Sequence, residues 1–241
     1  MVSQASTSVL PDLGPDVYTK WRASGIGAIT EQLQRRLILT LLGEIRDRNV
    51  LDVGCGDGDF AVELWRRGAS VTGIDASQEM IEAARTRAKR EGADISFLVG
   101  EAAGIPFDPQ RFDIVVAVTI LCFVANAAPA FTEIARILRP GGILVIGELR
   151  KWSLWAAARR VRAWLGSQLW RRGRFRTASE LRSLANRAGL VPAGVHGSIY
   201  YPRWRWATRL LAPYDAALSR VTTFGAAFLA LTAVKLATTG K

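Results

Sequence analysis

Between residues 50 and 146 the chain alternates two kinds of segment. Short apolar runs at 50–53, 71–74, 95–99, 112–118 and 143–146 have the length of strands. Among them, 58–67, 78–90 and 128–138 space their apolar residues three or four apart, as a helix with one buried face does. This alternation predicts an α/β fold, a mostly parallel sheet covered on both faces, with right-handed crossovers. Ligands of such sheets bind beyond the carboxyl ends of the strands. The loops carrying Asp57, Asp75, Glu101 and Leu121 all leave from those ends. Residues distant in sequence are therefore expected to share one crevice.

The flanks are read more coarsely. Residues 1–17 are expected to be a loose tail, and 18–241 a single domain. Tyr18 and Trp21 precede a helix over 28–42, with Ile29, Leu33, Leu37 and Leu41 on one stripe. A helix over 152–165 is expected to bury Trp155, Ala158, Val161 and Leu165. Thr177 and Glu180 form a capping-box pattern before a helix over 178–188. The last strands are placed at 190–201 and 224–234, with insertions at 151–176 (a cap) and 202–220. The stretch 114–131 is long and apolar, but its β-branched front and the interruptions at Asn126 and Pro129 assign it to a strand, a loop and a helix rather than a membrane span.

Charge divides the chain. Residues 1–148 carry 15 basic and 19 acidic side chains, whereas 149–241 carry 17 basic and 2 acidic, with six of the eight tryptophans. Two cysteines offer no disulfide framework, and they suit a reducing compartment. One histidine and no CxxC leave no ligand set for structural zinc. No basic segment followed by a long apolar run opens the chain, so no secretory leader is expected. The expected location is cytoplasmic.

After the first strand comes LDVGCGDGDF, residues 51–60. Glycines at 54, 56 and 58 are spaced GxGxG, not the GxGxxG of a dinucleotide turn. Asp57 and Asp59 would lie close to any phosphate placed there, and like charge at short range is unfavourable. No Gly-Lys-Ser/Thr follows, which excludes a P-loop. A cation without phosphate fits better, and S-adenosylmethionine carries a sulfonium and an ammonium. Asp52 or Asp57 can hold its amino-acid end, partly through water. Asp75, closing the second strand, can accept from both ribose hydroxyls; the analogous carboxylate serves NAD in the same way, so Asp75 alone does not separate the two cofactors. Glu101 can accept from the adenine amine, with Ile105 and Phe107 near the ring.

The segments VLDVGCGDGDF (50–60), VTGIDAS (71–77), GEAAGIPFD (100–108), RFDIVVA (111–117) and LRPGG (138–142) resemble the class I S-adenosylmethionine-dependent methyltransferases. Within that class the likeness is to the subgroup of ubiquinone, menaquinone and small-molecule methyltransferases. YTKW (18–21) resembles the entry segment whose Tyr and Trp lie near the cofactor. The resemblance covers 18–149 well and 175–190 and 224–235 weakly. It implies a Rossmann-like seven-stranded sheet in the order 3-2-1-4-5-7-6, with strand seven antiparallel. It also implies that Gly54, Gly56 and Gly58 form the cofactor turn and that Asp75, with Ala76, meets the ribose. Glu101 and Ala102 would meet adenine, and Thr119 and Leu121 would line the methionine side. The family often has aspartate where this chain has Glu101, which bears on geometry more than on the cofactor.

Methyl transfer from a sulfonium is an in-line displacement, for which alignment and exclusion of water matter most. A base is needed only when the acceptor must lose a proton. No catalytic pair stands out; His196 and Glu148 are the candidates. Cys122, Glu148, Arg150 and Tyr200 are candidates for binding the acceptor, with Tyr201 behind them. The Trp- and Arg-rich cap admits a contact with anionic membrane and a lipid-like acceptor, a pocket for an acidic soluble metabolite, a nucleic-acid surface, or merely a charged cap over a tryptophan core. No RNA-binding module accompanies it, which argues against nucleic acid. The reading is therefore methyl transfer to a small or lipophilic acceptor. The alternatives are a tRNA or rRNA methyltransferase and a non-catalytic cofactor-binding relative. The sequence carries no signal of oligomeric state.

Overall fold

The computed structural model describes residues 14–124 and 126–237. The elements in chain order are α1 (Pro15–Ala23), α2 (Gly25–Leu42), β1 (Asn49–Val53), α3 (Asp59–Arg66), β2 (Ser70–Asp75), α4 (Gln78–Glu91), β3 (Ser96–Val99), β4 (Phe112–Val118), α5 (Ala127–Ile137), β5 (Leu138–Leu149), α6 (Leu154–Trp164), α7 (Gln168–Arg172), α8 (Ala178–Arg187), β6 (Leu190–Ser198), α9 (Arg205–Leu211), α10 (Asp215–Val221) and β7 (Phe228–Lys235). Caps start the helices where the sequence supplies an oxygen. Ser77 accepts from the Met80 N–H, Asn126 from Ala128 and Ser153 from Ala156. Thr177 and Glu180 make the reciprocal box expected of them.

The seven strands lie in the order β3-β2-β1-β4-β5-β7-β6, the order that the resemblance implies. β1 to β5 run parallel, and β7 is antiparallel to both β5 and β6. Both faces are buried. One layer packs Ile38, Leu64, Ile81, Val145 and Phe228; the other packs Leu51, Phe131, Ile134, Leu144 and Leu231. Strand order reverses between β1 and β4, so the crevice lies above the ends of these two strands.

Several boundaries differ from expectation. The expected tail reaches 17, but Pro15–Ala23 is already helical; residues 1–13 lie outside the described residues. The helix expected from 28 begins at Gly25, capped by Ser24. A Cβ on Gly27 would lie 1.9 Å from the Trp21 carbonyl oxygen, so glycine is what lets α1 and α2 meet so closely. The strand expected at 143–146 extends over Leu138–Leu149, with Pro140, Gly141 and Gly142 in a register shift against β4 rather than outside the strand. The strand expected to reach 201 ends at Ser198, where Ile199 takes a φ of 65°. β7 starts four residues later than expected, at Phe228. α6 buries Trp155, Ala156 and Arg159, while Val161 and Leu165 of the expected stripe face solvent. Among the described residues no helix is long and apolar enough to cross a membrane.

Candidate active site

The three glycines of the turn after β1 all have positive φ, but they answer different constraints. A Cβ on Gly54 would lie 2.5 Å from the Ile120 side chain, and one on Gly58 would lie 2.9 Å from the Ala84 Cβ. Those two permit close packing. A Cβ on Gly56 would meet nothing within 4 Å, so there the backbone faces free space that a ligand can enter. Asp75 shapes the rim. Its carboxylate accepts from the Gly56 N–H at 3.0 Å and the Ser77 N–H at 2.9 Å. Burial raises its pKa against the pull of these bonds. Asp52 lies deeper, 3% exposed, and its Oδ2 has no hydrogen-bond partner. Burial, with Asp75 adding repulsion, pushes its pKa up to about 7. A buried acceptor without a donor beside an open glycine suits a ligand that brings N–H⁺ groups and ribose hydroxyls.

The acidic charge of the turn is not free. Asp57 is chelated by the Arg22 guanidinium from α1, and Arg87 from α4 donates to its Oδ2 at 2.6 Å. Arg35 reaches Asp59 at 2.6 Å and Glu63 at 2.9 Å. The arginines hold the Asp57 carboxyl below its ordinary pKa even though burial opposes them. Asp57 is thus a structural anchor for α1, not a spare charge for the cofactor, and the electrostatic case against a phosphate ligand rests on Asp52 and Asp75. Through this anchor α1 lies across the crevice. Tyr18 is partly buried, and its phenol pKa is raised by burial first and then by Cys122, Asp75 and Asp57.

On the other side the end of β4 turns sharply. Thr119 has a φ of 56°, an uncommon conformation for a β-branched residue, and it donates its N–H to the Gly147 carbonyl at 2.7 Å. The short helical turn Leu121–Phe123 follows. Glu148, wholly buried at the end of β5, accepts from the Cys122 N–H at 3.1 Å. Arg176 binds the Leu121 carbonyl at 2.7 Å and lies 3.8 Å from Glu148. Burial raises Glu148 to about 7 despite that guanidinium. Cys122 is fully buried, which pushes its thiol pKa far up.

Over this turn sits the segment 151–176. Trp155 stands edge-on to Trp21 and to Tyr201, and its Nε1 donates to the Tyr201 carbonyl at 2.7 Å. Trp170 packs between Phe123 and Phe175. Between these two aromatic groups lies the Arg159 guanidinium, 8% exposed. The alternation of Trp and Arg marks this segment in the sequence, but which arginine turns inward depends on the helix rotation.

Of the predicted residues, the structure brings Tyr18, Trp21, Asp52, Gly54, Gly56, Gly58, Asp75, Ala76, Thr119, Leu121 and Cys122 together around the ends of β1, β2 and β4. Glu101 follows β3 and pairs with Gly104 in an isolated bridge beside Ala102. Glu148 lies under the Leu121–Phe123 turn rather than open to an acceptor. Arg150 pairs with Arg176 through the backbone, and its Nη1 is buried without a hydrogen-bond partner. Tyr200 spends its hydroxyl on the Thr222 carbonyl. His196 pairs with Ala230 on the edge strand β6, three strand spacings (about 14 Å) from β4, so the fold does not bring it to the crevice.

Residues 51–146 match the methyltransferase-domain family. A ubiquinone biosynthesis O-methyltransferase of Cereibacter sphaeroides is 30% identical over 204 residues, 80% of this chain and 81% of its own length. An uncharacterized protein of Mycobacterium bovis is 33% identical over 220 residues, 90% of this chain and 70% of its own. Among solved structures, a methyltransferase of Thermotoga maritima, described as S-adenosylmethionine-dependent and a possible histamine N-methyltransferase, superposes with a TM-score of 0.70 at 25% identity. That match covers 91% of this chain and 95% of the other. With the strand order, the open glycine and the unpartnered carboxylate already in place, these likenesses make the chain a class I S-adenosylmethionine-dependent methyltransferase, an enzyme that methylates a small molecule.

Proposed function

We propose that the methyl acceptor is lipophilic and that it enters between α1 and the cap. The observation that carries this reading is the aromatic lining beside the cofactor crevice: Tyr18 and Trp21 from α1, Trp155 and Tyr201 behind them, and the buried Cys122 below. Apolar walls with few polar groups bind and orient such molecules. The quinone-pathway O-methyltransferase relative supports the same class.

When bound, S-adenosylmethionine supplies an electrophilic methyl group on its sulfonium. Asp75 takes the ribose hydroxyls, Gly56 lets the ligand approach the backbone, and Asp52 faces the amino-acid end. Thr119 and Leu121 line the methionine side, and Glu101 and Ala102 lie toward adenine. Tyr18 and Trp21 close the crevice from above and exclude water. Glu148 acts as a positioning residue, fixing the turn that carries Leu121 and Cys122.

A bilayer surface is proposed as the place where the acceptor is met. The outer side of the cap exposes Trp152, Leu154, Trp164 (83%) and Leu165 among arginines, a composition that suits the headgroup region of an anionic membrane. Transfer of tritiated methyl to catechols with alkyl tails of increasing length tests the acceptor class. Rates should rise with tail length; a preference for tail-less catechols would overturn it.

A further inference from the structure

Four buried side-chain atoms among the described residues have no hydrogen-bond partner: Asp52 Oδ2, Glu148 Oε2, Arg150 Nη1 and Arg159 Nη1. Such atoms are rare in native proteins, and each calls for a reason. Asp52 belongs to the cofactor side. Glu148 has Arg176 at 3.8 Å. Arg150 is only half-buried, whereas Arg159 is 8% exposed. It is a buried guanidinium, and among the described residues its side chain has neither a hydrogen bond nor a carboxylate within ion-pair distance. A buried charge without a partner is costly to hold.

Its neighbours are aromatic faces, not acids. The guanidinium lies 5.5 Å from the Trp155 ring centre, 4.9 Å from Trp170 and 5.9 Å from Phe175. Arg203 stands over the same Trp155 ring at 5.1 Å. Burial, with Arg203 and Arg162 adding repulsion, lowers the Arg159 pKa to about 10. Positive charge therefore accumulates around one indole without an acid. Trp155, over which Arg159 lies, stands edge-on to Trp21 of α1, and Trp170 packs on Phe123 of the turn after β4, so Arg159 lies on the acceptor side of the site.

We propose that Arg159, with Arg203 behind it, is the anchor for a carboxylate carried by the acceptor. A planar carboxylate matches the guanidinium fork, and Trp155, Trp170 and Phe175 accommodate the apolar body attached to it. This rests on the acceptor reading above and specifies it: the acceptor is an acid with a lipophilic or aromatic frame. Trp170 and Phe175 also line a groove that carries Lys151, Arg160, Arg174, Glu180 and Arg187. There Arg160 donates to the Lys151 carbonyl at 2.8 Å.

The test is calorimetric titration of the full chain, saturated with S-adenosylhomocysteine, with 4-octyloxybenzoate and its neutral analogue 4-octyloxybenzamide. The benzoate should bind at least tenfold tighter. Arg159→Met should abolish that preference while leaving affinity for the amide and for S-adenosylhomocysteine within twofold. Arg159→Lys, which keeps a cation without the planar fork, should retain part of it and serves if the Met variant does not fold. Equal binding of acid and amide to the wild type would overturn the proposal. So would a preference that survives in Arg159→Met, or inorganic phosphate competing as well as the benzoate. Benzoate and benzamide separate the two readings: an acid preference without gain from the octyl tail keeps the Arg159 anchor and rejects the lipophilic acceptor.

Discussion

At the residue scale, the turn after β1 makes distinct demands at neighbouring positions. Gly56 borders open space, whereas Gly58 presses on Ala84. Both have positive φ, so alanine at either costs about 1 kcal/mol or more of stability. Gly56→Val should additionally lose S-adenosylhomocysteine binding in a folded protein, while Gly58→Ala should lower the melting temperature further and spare binding per folded molecule. Calorimetry beside thermal unfolding checks the pair. Asp75→Asn should weaken cofactor binding by about tenfold, about 1.4 kcal/mol, and an unchanged affinity would remove Asp75 from the ribose. Asp52 adds a pH signature. Its folded pKa of about 7 lies above the ordinary 3.8, so the carboxylate needed by a cationic ligand forms only as pH rises through about 7. Affinity should climb from pH 6 to 8, and Asp52→Asn should flatten that climb. Stability has the opposite sign. A raised folded pKa means that the native state holds the proton more tightly, so this group's contribution is full below about 3.8 and is lost as pH rises toward 7.

At the element scale, α1 is held over the site by Arg22 rather than by burial, for it has no fully buried residue. Asp57 unites α1, the glycine turn and α4 through Arg22 and Arg87. Arg22→Met should loosen α1 and leave the sheet intact. Hydrogen exchange over 15–23 should accelerate, and the dissociation rate of S-adenosylhomocysteine should rise severalfold, while protection in β1 and β4 stays the same. Because the Arg22–Asp57 pair is partly screened, high salt should reproduce part of the effect in the wild type. The core strands and their connecting helices were legible from period alone, since burial on both faces selects apolar runs and one-sided burial selects a 3.6-residue stripe. α1, the buried face of α6 and the start of β5 were not. α1 is polar and is tied down by charge, α6 buries an arginine where the pattern puts Val161 and Leu165, and β5 carries Pro140 and its glycines within a register shift.

At the scale of the whole molecule, the acidic first part supplies the carboxylates at the ends of β1 and β2, and the basic second part supplies the arginines of the cap. That asymmetry suits a positively charged donor and an anionic acceptor entering from opposite sides. The exposed Trp164 and Leu165 extend the same basic part outward. Trp164→Glu should reduce sedimentation with phosphatidylglycerol vesicles at least threefold and leave S-adenosylhomocysteine affinity unchanged; equal sedimentation would remove the bilayer from the account.

The sequence by itself determined the alternating strands and helices, the glycine turn and the carboxylates that close the first two strands. Each of these follows from short-range periodicity or from a residue's own backbone freedom. The tertiary structure decided which charges are free. Asp57 and Asp59 read as open acids until Arg22, Arg35 and Arg87 fold onto them from other helices, and Arg159 reads as one surface arginine among many until α6 rotates it inward between Trp155 and Trp170. Pairing and burial are sums over neighbours distant in the chain, and a linear pattern does not contain them.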